Sequence, residues 1–298
     1  RRHQGPLEKH SYQDPMKKAV IFAVAVCLFS WAVFGVFYAV AGPGLSGNKA
    51  LLQSLSVLYM FLPLITALAL QKIRKVSPLS TGLLNFKFSW AWIVAIAIPY
   101  LILLLTILIS ALLPGVKLEF SPDSIITLSG LEGAAADSVR DQFTSVSPAL
   151  MIVGTLFSGL LAGCTINAVA AFGEEYGWRN YMVDALRGQS FWKAALMIGI
   201  IWGIWHAPLI LMGHNYPQHP VAGVGMMCIF CILLGIIELY FVLKTGSVIP
   251  AALIHGIVNA IAGSTLFLVQ GGSDLTIGMT GILRQGQSLC GARLQPRP

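Results

Sequence analysis

Charge is what this sequence has least of. Asp, Glu, Lys and Arg make up only 10% of its 298 residues, against about 25% in soluble globular domains. That shortage argues against a water-soluble enzyme, a disordered chain and a nucleic-acid-binding domain, each of which needs charged surface. Cysteine is scarce too. Cys27, Cys164, Cys228, Cys231 and Cys290 are scattered, four of them in apolar runs, so neither a disulfide framework nor a zinc ribbon is present. Cys228 and Cys231 form a C-x-x-C inside an apolar run and read as small buried residues. The familiar hydrolase signatures are missing as well: there is no G-x-S-x-G, no H-E-x-x-H and no Ser-His-Asp pattern.

What remains is apolar. Hydrophobic residues are 56% of the chain and the mean hydropathy is +0.76. Seven long apolar runs occupy 19–41, 50–70, 90–113, 149–172, 191–212, 221–243 and 249–269. Each is long enough, at ~1.5 Å per residue, to cross a ~30 Å hydrocarbon core. The runs do not alternate apolar and polar residues as barrel strands must. The expected fold is all-α, a polytopic transmembrane helical bundle of seven spans around a cavity, or eight if the weaker piece 275–283 is helical. A polar N-terminal segment, 1–18, is expected to be an upstream extension. Three spans and a long loop fill 19–147, a polar-studded transmembrane core fills 148–270, and a short apolar piece with a polar tail fills 271–298.

The Lys and Arg residues fall unevenly between the two sides of such a bundle, 13 against 3, with three more at the C-terminus. The positive-inside rule therefore expects a cytoplasmic N-terminus. The loop 114–148 carries Glu119, Asp123, Glu132, Asp137 and Asp141 and is expected on the other side as a solvated loop.

Ionisable residues inside spans cost about 2.5–3.5 kcal/mol each on insertion scales, so they point to function. Three groups stand out: Glu174, Glu175 and Arg179; Trp202, Trp205 and His206; and His255 with Asn259. Counting from the nearest basic residues puts Glu174, His206 and His255 roughly 16–20 Å from one membrane face. One site built from three spans follows, toward the cytoplasmic half and reached from that side. The stretch 148–187 is too long for one straight span, so a bend or break near Gly173 and Gly177, or a steep tilt, is expected.

Helical spacing assigns roles. Glu175 and Arg179 are i,i+4, and an arginine cannot lose its charge, so they read as a structural ion pair. Glu174 lies ~100° further round and is free to face another helix. His255 and Asn259, also i,i+4, point into one cavity. A Glu–His pair takes a proton from water, and a His–Asn pair donates hydrogen bonds to a developing oxyanion. This is equipment for hydrolysing a peptide bond. A proton-coupled transporter using the same intramembrane Glu and His residues is the alternative. Glu238, in the sixth run, reads as a packing or cavity-lining acid rather than a partner of one of the histidines.

At these residues the sequence resembles the CPBP family of intramembrane proteases, also called the Abi or CAAX-protease family, to which the Ras-converting CAAX endopeptidase is related. The motifs are Glu174-Glu175-Tyr176-Gly177-Trp178-Arg179, the segment Trp202 to His206, and His255 to Asn259, within roughly 148–265. The resemblance implies an all-helical core around a conical cavity open to membrane and cytoplasm. It implies that Glu174 is the general base with His206 as its partner, and that His255 and Asn259 stabilise the oxyanion. Trp178, Trp202 and Trp205 become candidates for a groove that holds a lipid or apolar peptide tail. No cofactor is expected on the favoured, metal-free route; the alternative is zinc held by Glu174, His206 and His255. The implied partners are membrane lipid and a membrane-bound or lipidated peptide or protein, such as a prenylated CAAX tail, and no nucleic acid. The implied location is the cell membrane of a prokaryote or the endoplasmic reticulum of a eukaryote.

Overall fold

The computed structural model describes residues 15–42, 49–129 and 131–280. These residues are helical almost throughout, and the only strands among them are two short ones. Helices α1 (Pro15–Ala41), α2 (Lys49–Tyr59), α3 (Leu62–Ile73) and α4 (Trp90–Ser110) form the first part. The strand β1 (Lys117–Leu118) and helices α5 (Pro122–Ser129) and α6 (Ala134–Ser145) fill the long loop. The core follows as α7 (Pro148–Cys164), α8 (Ile166–Glu175), a π-helical segment (Tyr176–Tyr181), α9 (Met182–Ala185), α10 (Phe191–Trp205), α11 (Ala207–Leu211), α12 (Pro220–Thr245) and α13 (Ile249–Ile261). Helix α14 (Ser264–Leu268) leads into β2 (Val269–Gln270), which pairs antiparallel with β1.

This is a helical membrane protein. Four helical stretches, Pro15–Val40, Ser54–Ile73, Trp90–Ser110 and Pro220–Thr245, are long and apolar enough to cross a membrane. Only 22% of the apolar window of the first and third is buried against protein. Their outer faces show Val20, Val24, Leu28, Leu101, Leu104 and Leu108, which suits hydrocarbon rather than water. A fifth stretch counts if α6 and α7, bent by 118° at their junction, are taken together. The remaining apolar runs are shorter helices interrupted at the site, which is why seven runs in the sequence become fewer long rods. The expected eighth piece is not helical where it is described: residues 275–280 form turns, and 281–283 lie outside the described residues. So do residues 1–14 of the polar N-terminal segment and the tail beyond Thr280.

The expected bend in 148–187 sits elsewhere. The helix breaks at Thr165, whose φ and ψ are −118° and −97° and whose hydroxyl donates to the Leu161 carbonyl at 2.5 Å. Gly173 and Gly177 stay within helical turns. They are small because the α2–α3 junction presses on them: a Cβ at Gly173 would lie 2.8 Å from the Met60 carbonyl oxygen, and one at Gly177 2.5 Å from Pro63. The second irregularity is the π-helical segment, which begins directly after Glu175. Such segments occur mostly at functional sites.

Helices α10 and α12 pack along one another through Gly199 and Gly203, which are i,i+4. A Cβ on Gly203 would sit 2.4 Å from Cys228 Cα, so the two backbones meet directly there. Small residues permit such approach where no hydrophobic effect drives helices together. We expect Gly203→Ala to cost about 1–3 kcal/mol by overpacking, read as a lower melting temperature in detergent. Gly225→Ala, where an added Cβ meets nothing within 4 Å, is the matched control and should melt like the parent.

Candidate active site

Four elements of the core converge on one buried locus: α8 with the π segment, α10 with its junction to α11, α12, and α13. The π-helical hydrogen bond from Met182 N–H to the Gly177 carbonyl widens the turn that carries Trp178 and Arg179. Glu174 and Glu175, although adjacent, point to different partners. Glu174 is 2% exposed and lines a cavity of about 640 Å³. Glu175 is fully buried and turned away into an ion cluster.

That cluster is centred on Arg179. Its Nη1 donates to Glu175 Oε1 at 3.2 Å, the i,i+4 pair expected from spacing. Its Nη2 lies 2.5 Å from Glu238 Oε2, an ion pair whose angles are not those of a hydrogen bond. Its guanidinium also stacks 4.1 Å from the Trp202 ring centroid. Glu238 thus pairs with the arginine as a buried packing acid, and the cavity-lining reading of that residue is corrected, since it is not on the cavity wall. Helix α12 is shaped to receive the guanidinium. Gly235 and Glu238 are i,i+3 on one face, and a Cβ at Gly235 would lie 2.9 Å from Arg179 Nη2. No local spacing relates Glu238 to Arg179, 59 positions earlier, so sequence reasoning missed the pair.

Glu175 has a second task. Its Oε1 also accepts from His255 Nδ1 at 2.9 Å, so the carboxylate orients the imidazole and leaves Nε2 as its free nitrogen. Trp202 does the same for the other half of the site. Its indole N–H donates to Glu174 Oε2 at 2.6 Å, and its backbone carbonyl accepts from His206 Nδ1 at 2.8 Å. A carbonyl only accepts, so His206 carries a proton on Nδ1, and its Nε2 is the nitrogen left for the cavity. The spacing Trp202-x-x-x-His206 was the available signal for this contact.

His206 sits where α10 ends and α11 begins, with Pro208 in the first turn of α11. Proline lacks an N–H and loosens the helix there. The nearby Trp205 carbonyl is met by the Tyr59 hydroxyl at 2.9 Å and the Trp31 indole at 3.2 Å.

The cavity wall includes Glu174, His206, His255 and Asn259 together, along with Trp202 and Trp205. Trp178 is not on that wall. It is 0% exposed and packs edge-on against Phe22 and Trp205, with ring centroids 5.6 and 5.9 Å away. Its place in a substrate groove is corrected on that ground: the wide π turn directs it into the core.

The metal alternative can be weighed against the donor sets. Among the described residues, the His, Cys, Asp and Glu side chains that converge within 4.8 Å of one another are Glu175, Glu238 and His255. That set differs from Glu174, His206 and His255. Both of its carboxylates are ion-paired with the Arg179 guanidinium in its midst, which opposes a cation. The residues present do not fit a metal centre there.

The cavity, the oriented carboxylate and the two anchored imidazoles define a helical membrane protein with a buried acid–imidazole site. Comparison narrows the class. Residues 155–261, which contain every residue of the site named above except Tyr59, Trp31 and Phe22, match the family described as type II CAAX prenyl endopeptidase Rce1-like. A protein named CAAX prenyl protease 2, from Methanococcus maripaludis, is 37% identical over 98 residues, covering 30% of this chain and 36% of that relative. The chain therefore aligns with about a third of the length of the curated relative it matches.

Arg179→Met alone strands two carboxylates in an apolar interior, and breaking a buried pair typically costs about 3–5 kcal/mol. Arg179→Met combined with Glu238→Leu leaves Glu175 with His255 and removes the surplus charge. We expect the double variant to melt well above Arg179→Met in detergent. Equal melting temperatures would show that Glu238 does not answer Arg179.

Proposed function

We propose that this protein is an intramembrane endopeptidase that hydrolyses a peptide bond in a membrane-associated peptide or protein. The prenylated CAAX tail is the first substrate class to test, because the named relative and the matching family carry that description. The observation that carries the reading is the division of labour between adjacent acids. Glu175 is consumed by Arg179 and His255, while Glu174 faces the cavity with one oxygen held by Trp202.

In the proposed reaction Glu174 takes a proton from a water molecule, and the Nε2 of His206 accepts that water's other hydrogen and aims it. The resulting hydroxide adds to the scissile carbonyl. The oxyanion receives hydrogen bonds from the Asn259 amide and from His255 Nε2–H. His255 Nδ1–H is committed to Glu175, so the ring donates at Nε2 only as an imidazolium, and the Glu175 carboxylate is the counter-charge for that form. Collapse of the tetrahedral intermediate breaks the C–N bond, and the leaving amine takes the proton from Glu174. The proposed route uses no metal. The lysine and arginine distribution supports a cytoplasmic N-terminus.

The test is cleavage of a farnesylated CAAX peptide by purified protein, read by mass spectrometry. Glu174→Gln should lower turnover by ~10²–10⁴-fold, the usual worth of a general base, with the melting temperature unchanged. Near-parental turnover by this variant would sink the assignment. A strong chelator should leave cleavage intact. One zinc per active chain, lost in His206→Ala and restoring activity when added back to the chelated parent, would replace the metal-free route with the zinc one.

A further inference from the structure

His206 stands at a break between two helices, and the backbone beside it is anchored from outside the four converging elements of the core. The helix resumes with the Ile210 N–H on the His206 carbonyl at 3.1 Å. The carbonyl one residue earlier, on Trp205, is met instead by side chains of α1 and α2. The Tyr59 hydroxyl donates to it at 2.9 Å and the Trp31 indole N–H at 3.2 Å. A carbonyl freed at membrane depth needs such a partner from protein, because lipid supplies none.

The Trp205 side chain is held by the same two helices. Its indole N–H donates to Ser30 Oγ at 2.8 Å. Its ring lies on that of Tyr59, with centroids 4.2 Å apart and planes 30° from parallel. Trp205, Ser30 and Tyr59 are all buried. The grips act on different parts of one residue: the carbonyl oxygen, the indole nitrogen and the ring face. A residue held in this way cannot shift or turn, and its neighbour inherits that fixity. The His206 and Trp205 rings meet edge to face, 4.8 Å apart at 80°. His206 Nδ1 is tied to the Trp202 carbonyl at 2.8 Å. That bond fixes one point of the imidazole, and the Trp205 ring fixes its tilt and so the direction of Nε2.

We propose that Tyr59, Trp31 and Ser30 are positioning residues for His206, acting through Trp205. All three precede residue 155, where the matched segment begins. Helices α1 and α2 are then part of the machinery rather than packing around it. Tyr59 also lies on the cavity wall, so contact with substrate is the rival role for that residue. The catalytic meaning rests on the proposed hydrolysis, in which Nε2 aims the water; the positioning itself does not.

The experiment uses Tyr59→Phe, Trp31→Phe and the two combined. Each change deletes a donor and keeps an aromatic ring, and Trp31 is 37% exposed, so its replacement disturbs little packing. Tyr100→Phe is the control: it removes a hydroxyl that donates to a carbonyl of the same kind, that of Leu156 at 3.0 Å, between α4 and α7. The imidazole nitrogen resonances are recorded on purified protein carrying isotope-labelled histidine, with those of His206 identified by their loss in His206→Ala. The double variant should move the His206 resonances, and Tyr100→Phe should leave them in place. On a cleaved peptide the double variant should lose ~10-fold or more in kcat with KM unchanged, since a misplacement of about 1 Å can cost ~10²-fold. A variant that merely folds less well would keep the His206 resonances of its folded fraction, and that result would overturn the proposal. A raised KM with parental kcat would make Tyr59 a substrate contact and overturn it too, as would parental kcat alone. If the double variant does not fold, Trp31→Phe decides by the same two readouts. If the parent cleaves no peptide, that result counts against the hydrolysis alone, and the resonances decide the positioning.

Discussion

A guanidinium that cannot give up its charge, held among apolar helices, is the constraint around which the core is arranged. Arg179 is fully buried, so its charge must be answered by protein. Glu175 answers from one turn back, Glu238 from a different helix, and the face of Trp202 from a third. Each answer fixes an element: the π segment, α12 and α10 are held in register by one side chain. Gly235 is the space this requires. Glu174, next to Glu175 but excluded from the cluster, becomes the acid that faces the cavity.

Irregular backbone gathers at the same place. The break at Thr165, the π segment after Glu175 and the α10–α11 junction at His206 all interrupt apolar helices near the site. Non-helical backbone is tolerated at membrane depth only where protein or a polar cavity satisfies the freed groups. Here the Trp205 carbonyl is met by Tyr59 and Trp31, and the Trp202 carbonyl by His206. The interruptions that shorten these helices as membrane rods are the ones that aim the reactive side chains.

Much of this could be read from the residues alone, for identifiable reasons. Apolar run length is a direct consequence of bilayer thickness, so the helical membrane class was plain. The Glu175–Arg179 pair followed from i,i+4 geometry, as did the place of Asn259 beside His255, and the meeting of Glu174, His206 and His255 from their similar depths. What escaped were relations between helices. Glu238 and Arg179 are joined only by the packing of α12 against the π segment. Trp178 and Trp202 look alike in the sequence, yet the widened turn sends one into the core and leaves the other holding both Glu174 and His206. The location of the helix break was misread because Gly173 and Gly177, ordinary signs of a bend, serve a close approach of the α2–α3 junction.

Because one guanidinium is shared by the π segment, α10 and α12, these helices are tied as spokes to a hub rather than in separate pairs. Loss of that side chain loosens all three together, so this part of the core gives way as a unit where independent pairs would fail one at a time.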